Sequence, residues 1–269
     1  MDPIYTLAIS SFAVHGTASL KSFTSILGSR VLPVPTVMLN GLTNLPLVRK
    51  FDLPFRELLE STFELVVHRG QTVILYVGYL GKAEQIDILL ETIGTYRSHI
   101  RTILIDPICG DHGKAYVSEE IIRRWPELIR VADLVFPNLT EMKLLTGHPA
   151  ADTGLPDLYI QRFREQFPRV QVVATSLPLN DHEIGIGWHN QEDAPFTYSH
   201  PRLAKNYGGT GDAFVALFIL QHYYYRLPME DALKAAAHQT YLLIQYSIQR
   251  GADELLLDGL DVTNPVICS

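Results

Sequence analysis

Short runs rich in β-forming residues alternate along the chain with helix-length amphipathic runs. Ile4 to Ile9 reads as a strand and Thr17 to Leu27 as a helix, with apolar positions at Leu20, Phe23, Ile26 and Leu27. Val31 to Val37 is a second strand; Pro33 and Pro35 cannot donate to a ladder, which predicts an edge position. A loop from about Asn40 to Pro54 leads to a helix over Phe55 to Val67, with Leu58, Leu59, Phe63 and Val66 on its apolar stripe. Thr72 to Val77 is apolar without alternation, the pattern of a strand covered on both faces. The same reasoning gives a helix over Ala83 to Tyr96, a strand over Thr102 to Ile105 and a helix over Glu119 to Val131 bent at Pro126. Leu134 to Phe136 reads as a strand, Leu139 to Leu145 and Tyr159 to Phe167 as helices, and Val170 to Thr175 as a strand. Glu183 to Trp188 and Pro195 to Ser199 pair as a hairpin, and helices over Asp212 to Tyr224 and Pro228 to Ile248 follow.

Alternation of this length predicts an α/β fold: a mostly parallel central sheet with helices on both faces. No internal repeat or long linker interrupts it, so residues 1–269 are expected to form a single domain. In such sheets ligands bind beyond the carboxyl ends of the strands.

Composition narrows the function. The chain is 47% hydrophobic and 19% charged, as expected for a globular protein with a sizeable core. Its net charge of −7 and lack of a basic tract predict no nucleic-acid or anionic-membrane partner. Two cysteines, Cys109 and Cys268, form neither a disulfide framework nor a zinc pattern. The start Met1-Asp2-Pro3-Ile4 shows no signal peptide, and no uncharged apolar run approaches the roughly 20 residues of a membrane span. A cytoplasmic location is the expectation.

Candidate chemistry sits where strands end. Gly208-Gly209-Thr210-Gly211-Asp212 leads into a nearly all-apolar helix that must be buried. The first N–H groups of such a helix have no internal partners, and glycines let a phosphate approach them. Asp212 at that mouth is placed to accept a proton from a hydroxyl attacking a phosphoryl group, although Thr210 or Asp212 acting as a plain N-cap fits the same residues. Asp106, ending a buried strand, and Asp111, after a glycine turn, can hold Mg²⁺ through water, or simply form the turn. Asn138 and Glu141, three apart at a helix start, fit a capping box. Gly78-Tyr79 after a strand fits either a stacking site for a flat ring or a strand rim. Thr175 and Ser176 end another strand with two hydroxyls.

The order and content of these segments resemble the ribokinase-like superfamily, whose fold is a three-layer αβα sandwich. Gly209-Thr210-Gly211-Asp212 and Pro137-Asn138-Leu139-Thr140-Glu141 are similar to its two signatures. Tyr76-Val77-Gly78-Tyr79-Leu80-Gly81 and Asp106-Pro107-Ile108-Cys109-Gly110-Asp111 resemble the pyridoxal (vitamin B6) kinase branch. The resemblance implies Asp212 as catalytic base and substrate contact, Gly209, Thr210 and Gly211 as anion hole, and Asp106, Asp111, Asn138, Glu141, Thr175 and Ser176 around ATP. It implies Mg²⁺ near Asp106, Asp111 and Glu141, and Ser11, Thr43 and Tyr79 against the acceptor ring. It also implies a homodimer, and leaves a monovalent cation beside Mg²⁺ and ATP open. Two positions depart from the pattern: Leu42 replaces the usual ring-contacting His, and Phe136 replaces a Thr.

The function expected is ATP-dependent phosphorylation of the 5′-hydroxymethyl group of pyridoxal, pyridoxine or pyridoxamine. A kinase of hydroxymethylpyrimidine is the nearest alternative, because Leu42 removes a ring contact. A non-catalytic B6-binding protein is the alternative of another class, and an intact Asp212 argues against it.

Overall fold

The apolar run Val73–Val77 is buried along its whole length because it forms an inner strand of a sheet covered on both sides. The structure is a computed structural model that describes residues 4–42, 45–190 and 195–260. In chain order the first half contains β1 (Tyr5–Ala13), α1 (Leu20–Leu27), β2 (Val31–Leu39), β3 (Lys50–Phe51), α2 (Phe55–His68), β4 (Val73–Val77), α3 (Glu84–Thr95) and β5 (Ile100–Ile105). Then come β6 (Gly110–Asp111), β7 (Lys114–Ala115), α4 (Glu119–Ile129), β8 (Leu134–Val135), α5 (Leu139–Leu145) and α6 (Pro156–Gln166). The chain continues through β9 (Gln171–Pro178), β10 (Glu183–His189), β11 (Phe196–Pro201), α7 (Thr210–Ile219) and α8 (Met229–Gln249).

Nine strands form one sheet in the order β11-β10-β9-β8-β5-β4-β1-β2-β3. The six from β9 to β2 are mutually parallel, whereas β10, β11 and β3 add antiparallel at the edges. Successive side chains of a strand point to opposite faces. Leu7 and Ile9, Leu75 and Val77, and Ile103 and Ile105 therefore meet the layer of α2, α3, α4 and α6. Ala8, Ile74, Tyr76 and Leu104 meet the layer of α1, α7 and α8. This is why the inner strands are apolar without alternation. Each large side chain buried in this way contributes roughly 1.5–3 kcal/mol. Helix α7 is buried at every position from Asp212 to Ile219, so its polar start is fixed by an apolar body.

Several boundaries differ from the pattern reading for physical reasons. β1 runs on to Ala13, which makes Ser10 and Ser11 strand residues. α1 starts only at Leu20, because Gly16 and Ser19 adopt positive φ. α7 ends at Ile219 and passes into one π-helical turn, Leu220–Tyr224, before α8. The two-residue strands β3, β6 and β7 are too short to show a period. Leu58 faces solvent, and the buried stripe of α2 is Phe55, Leu59, Phe63 and Val66. Among the described residues no helix is long and apolar enough to cross a membrane.

The parallel registers bring the strand ends into one line. Gly78 N–H donates to the Ile9 carbonyl (2.7 Å), Asp106 N–H to Val77 (2.9 Å), Phe136 N–H to Ile105 (2.9 Å) and Thr175 N–H to Pro137 (3.0 Å). Segments far apart in sequence thus share one edge: Ser10-Ser11, Gly78-Tyr79, Asp106, Asn138 and Thr175-Ser176. Of the five described non-glycine residues with positive φ, Ser19, His112 and Ser176 lie around this edge, where backbone strain commonly accompanies function.

Candidate active site

Gly209 opens α7 in the left-handed region, at φ 87°. A Cβ there would lie 2.5 Å from the Thr17 carbonyl oxygen and 2.9 Å from Ala18 Cα, so no other residue fits this turn undisturbed. Neither Thr210 nor Asp212 caps the helix; the cap position is Gly209, without a side-chain bond. The Asp212 carboxylate is instead free for other work. Its Oδ2 accepts the Ser19 N–H at 2.9 Å, and its Oδ1 is buried without a hydrogen-bond partner. Burial raises its pKa to about 6, against the smaller lowering effect of the Ser19 bond.

Asp106 follows β5 and is buried, as is Glu141 at the first turn of α5. Burial, then the charge of Asp212, holds Asp106 well above the usual carboxylate range. The Tyr76 hydroxyl is near enough to lower it a little but makes no hydrogen bond of good geometry. Glu141 is raised by burial, then by Asp106. Its Oε2 accepts Asn138 N–H (2.9 Å) and its Oε1 accepts Cys109 N–H (3.1 Å). Asn138 Oδ1 accepts Glu141 N–H in return (3.0 Å), which completes the capping box. Asn138 Nδ2 reaches the Gly110 carbonyl (2.9 Å) and ties the box to the β6–β7 hairpin. Asn138→Ala removes both side-chain bonds and is expected to destabilise the protein by about 1 kcal/mol. A melting curve within experimental error of wild type would show that the cap does not hold this corner.

Asp111 is different. It is exposed; its Oδ1 accepts His112 N–H (2.8 Å) and its Oδ2 lies 3.4 Å from the His112 ring, so it works as a turn former at the rim. Among the described residues no three His, Cys, Asp or Glu side chains converge tightly enough to ligate one ion. Two buried carboxyl groups, both held above the usual carboxylate range and one of them raised in part by the other, nevertheless fit a cation held through water. Cys109, whose thiol burial pushes far up, is inert packing.

Ser19, whose N–H reaches Asp212, also takes a hydrogen bond at its hydroxyl: Ser11 donates to it at 2.8 Å. Tyr79 is tied by its backbone to Ser10 Oγ (3.0 Å) and Thr36 Oγ1 (2.8 Å), while Lys50 donates to its hydroxyl (3.1 Å). It packs with Ala13, Val37 and Leu39, and Leu42, Ile108 and Val117 border this cluster. Leu42 also covers Gly16, where a Cβ would lie 2.4 Å from Leu42 Cγ. Thr43 lies outside the described residues.

A cleft of about 650 Å³ reaches the turn at Thr210 and Gly211 and is also lined by Asp111, Asn138, Thr175 and Ser176. The structure brings these six together; Ser11, Tyr79 and Asp212 are not part of this lining. The cleft carries three cations that pattern reading missed: Lys143, Arg202 and Lys205. Lys143 is buried on α5, held by the Asp152 carbonyl, with its ammonium 5.2 Å from the Tyr159 ring centroid. Lys205 is held by the Ala252 carbonyl and lies over Tyr207. Ile184, Ile186, Leu203, Phe214 and Ile244 add an apolar part to the lining, suited to a flat base.

Comparison with known proteins gives the family and the fold. The model of the phosphomethylpyrimidine kinase family matches residues 18–258. A pyridoxal kinase of Arabidopsis thaliana is 27% identical over 274 residues, covering 96% of this chain and 85% of that protein. A candidate pyridoxal kinase of Schizosaccharomyces pombe is 25% identical over 286 residues, covering 96% and 89%. The crystal structure of a candidate phosphomethylpyrimidine kinase of Bacteroides thetaiotaomicron superposes with a TM-score of 0.84 at 26% identity, covering 96% of this chain and 92% of that one.

Proposed function

The chain belongs to the phosphomethylpyrimidine kinase family, kinases that act on an alcohol group, and we propose that it transfers the γ-phosphoryl group of ATP to the 5′-hydroxymethyl of a vitamin B6 compound. One observation carries the proposal: a buried carboxylate, Asp212, in the first turn of a helix that opens at a left-handed glycine, has one oxygen anchored by Ser19 and the other bare. Pyridoxal kinases among the relatives support the acceptor class.

The step follows from these positions. The acceptor hydroxyl gives its proton to Asp212 Oδ1 as its oxygen bonds to the γ-phosphorus. The bond from that phosphorus to the β-phosphate oxygen breaks, and ADP leaves. Gly209, Thr210 and Gly211 present the helix start to the transferring group, whose charge the helix dipole favours. Lys143, Lys205 and Arg202 add positive potential on the ATP side. Asp106 and Glu141 would hold Mg²⁺ through water, with Asp111 at the rim, and Asn138 would orient Glu141. Bound there, the ion would neutralise phosphate charge. Thr175 and Ser176 close the phosphate end, and Ser11 and Tyr79 receive the ring. A homodimer and a cytoplasmic location are part of the proposal and rest on the likeness to vitamin B6 kinases alone.

Leu42 favours a second reading. An aliphatic side chain beside Tyr79 gives the ring an apolar neighbour, which also suits hydroxymethylpyrimidine, an acceptor in keeping with the family's own description. Parallel measurement of ADP release with pyridoxal, pyridoxine, pyridoxamine and hydroxymethylpyrimidine separates the two. The expected result is release with at least one B6 compound in excess of the pyrimidine. No release with any of the four would sink the acceptor assignment.

A further inference from the structure

Ser19 stands at the junction of three elements and is strained there. Its φ of 53° and ψ of −131° belong to a region that side chains rarely enter. The conformation turns its N–H onto Asp212 Oδ2 at 2.9 Å. It also turns its hydroxyl away from α1. Serine is among the favoured N-cap residues and normally accepts an N–H of the first helical turn, yet Ser19, at the cap of α1, makes no such bond. The hydroxyl accepts the Ser11 proton at 2.8 Å instead, and both serines are buried. The preceding residues press on the same turn, since Thr17 O and Ala18 Cα are the atoms that any Cβ on Gly209 would strike.

From these contacts we propose that Ser19 is a positioning and specificity residue that joins the base to the acceptor contact. Its N–H sets the Asp212 carboxylate so that Oδ1 faces the acceptor hydroxyl. Its hydroxyl takes the proton of Ser11, which then meets the acceptor ring with lone pairs alone. The site therefore selects a heteroaromatic alcohol that carries a hydrogen-bond donor at the Ser11 position. A ring offering only an acceptor there leaves two lone pairs opposed. The inference rests on Asp212 and Ser11 having the roles proposed above.

Ser19→Gly is the informative variant: it keeps the N–H, relieves the positive φ and removes the side chain that carries the hydroxyl. Ser11→Ala and the double variant complete a cycle. Each is assayed with ATP and with pyridoxine and hydroxymethylpyrimidine as alternative acceptors. Ser19→Gly is expected to raise the acceptor KM about tenfold, the loss of one buried hydrogen bond, and to leave the ATP KM and the pH midpoint of turnover unchanged. In the Ser11→Ala background it should add nothing. An unchanged acceptor KM, or full additivity with Ser11→Ala, overturns the role of Ser19 while wild-type activity stands. A wild type that turns over hydroxymethylpyrimidine and not pyridoxine overturns the B6 reading, and the same cycle then tests Ser19 on the pyrimidine. A wild type inactive on both removes the acceptor reading and the Ser19 role together.

Discussion

Replacing Asp212 by alanine is expected to lower turnover about 10²–10⁴-fold, the range attributed to a general base, while ATP still binds. The expectation comes from the division of labour at the turn. The ATP-side cleft reaches Thr210 and Gly211, and neither depends on the Asp212 side chain, because the helix cap is Gly209 without a side-chain bond. A bound nucleotide, read by titration with a fluorescent ATP analogue, should therefore show an affinity close to that of the wild type. Near-normal turnover in Asp212→Ala would refute the proton-transfer role. The pH dependence of the wild type is the companion measurement. Burial has raised the Asp212 pKa to about 6. The base works only when ionised, so kcat/KM should be low below that value, rise as pH passes through about 6 and level off above pH 7. The sign is fixed: a protonated Asp212 cannot accept the hydroxyl proton. The alanine variant should lose that rise.

The second large effect is a contrast between neighbouring glycines. Gly209→Ala places a Cβ against the backbone of Thr17 and Ala18 at positive φ. Strain of that kind costs about 1–3 kcal/mol before any clash, and the melting temperature should fall by about 5–10 °C. Displacing Ala18 also displaces Ser19, which holds Asp212, so turnover should fall more than tenfold in whatever protein remains folded. Gly211→Ala should behave in the opposite way. A Cβ at Gly211 meets no atom within 4 Å, and alanine is about 1 kcal/mol better than glycine within a helix. The variant should melt at or above the wild-type temperature. Because Gly211 lines the cleft, the added methyl intrudes where phosphate is expected, and the ATP KM should rise. Equal stability losses in the two variants would contradict this account of the turn.

Where the candidate residues lie was largely legible in the sequence because the parallel sheet translates local pattern into position. Gly78, Asp106, Asn138 and Thr175 each follow an apolar run, and the ladder puts every strand end on the same edge. The capping box at Asn138 and Glu141 was equally legible, since it needs only a three-residue spacing. Asp111 lines the cleft as well, and its contact with the adjacent His112 belongs to the turn itself. What stayed hidden depends on contacts across the chain. Ser19 bonds Asp212 across 193 positions and needs a backbone conformation that no serine advertises. Lys143 is buried in a short helix because the Asp152 carbonyl comes back to meet it. The antiparallel addition of β10 and β11 carries His200, Arg202 and Lys205 to the cleft, and their own sequence gives no sign of phosphate chemistry.

The central claim is phosphoryl transfer to a ring-borne hydroxymethyl group by way of Asp212. Its most direct test follows the product. Purified protein is incubated with Mg²⁺, ATP and pyridoxal, and both ADP and pyridoxal 5′-phosphate are quantified for wild type and Asp212→Ala. The prediction is equal amounts of the two products from the wild type and a loss of both in the variant. ADP formed without the 5′-phosphate, or 5′-phosphate formed as fast by the variant, would contradict it.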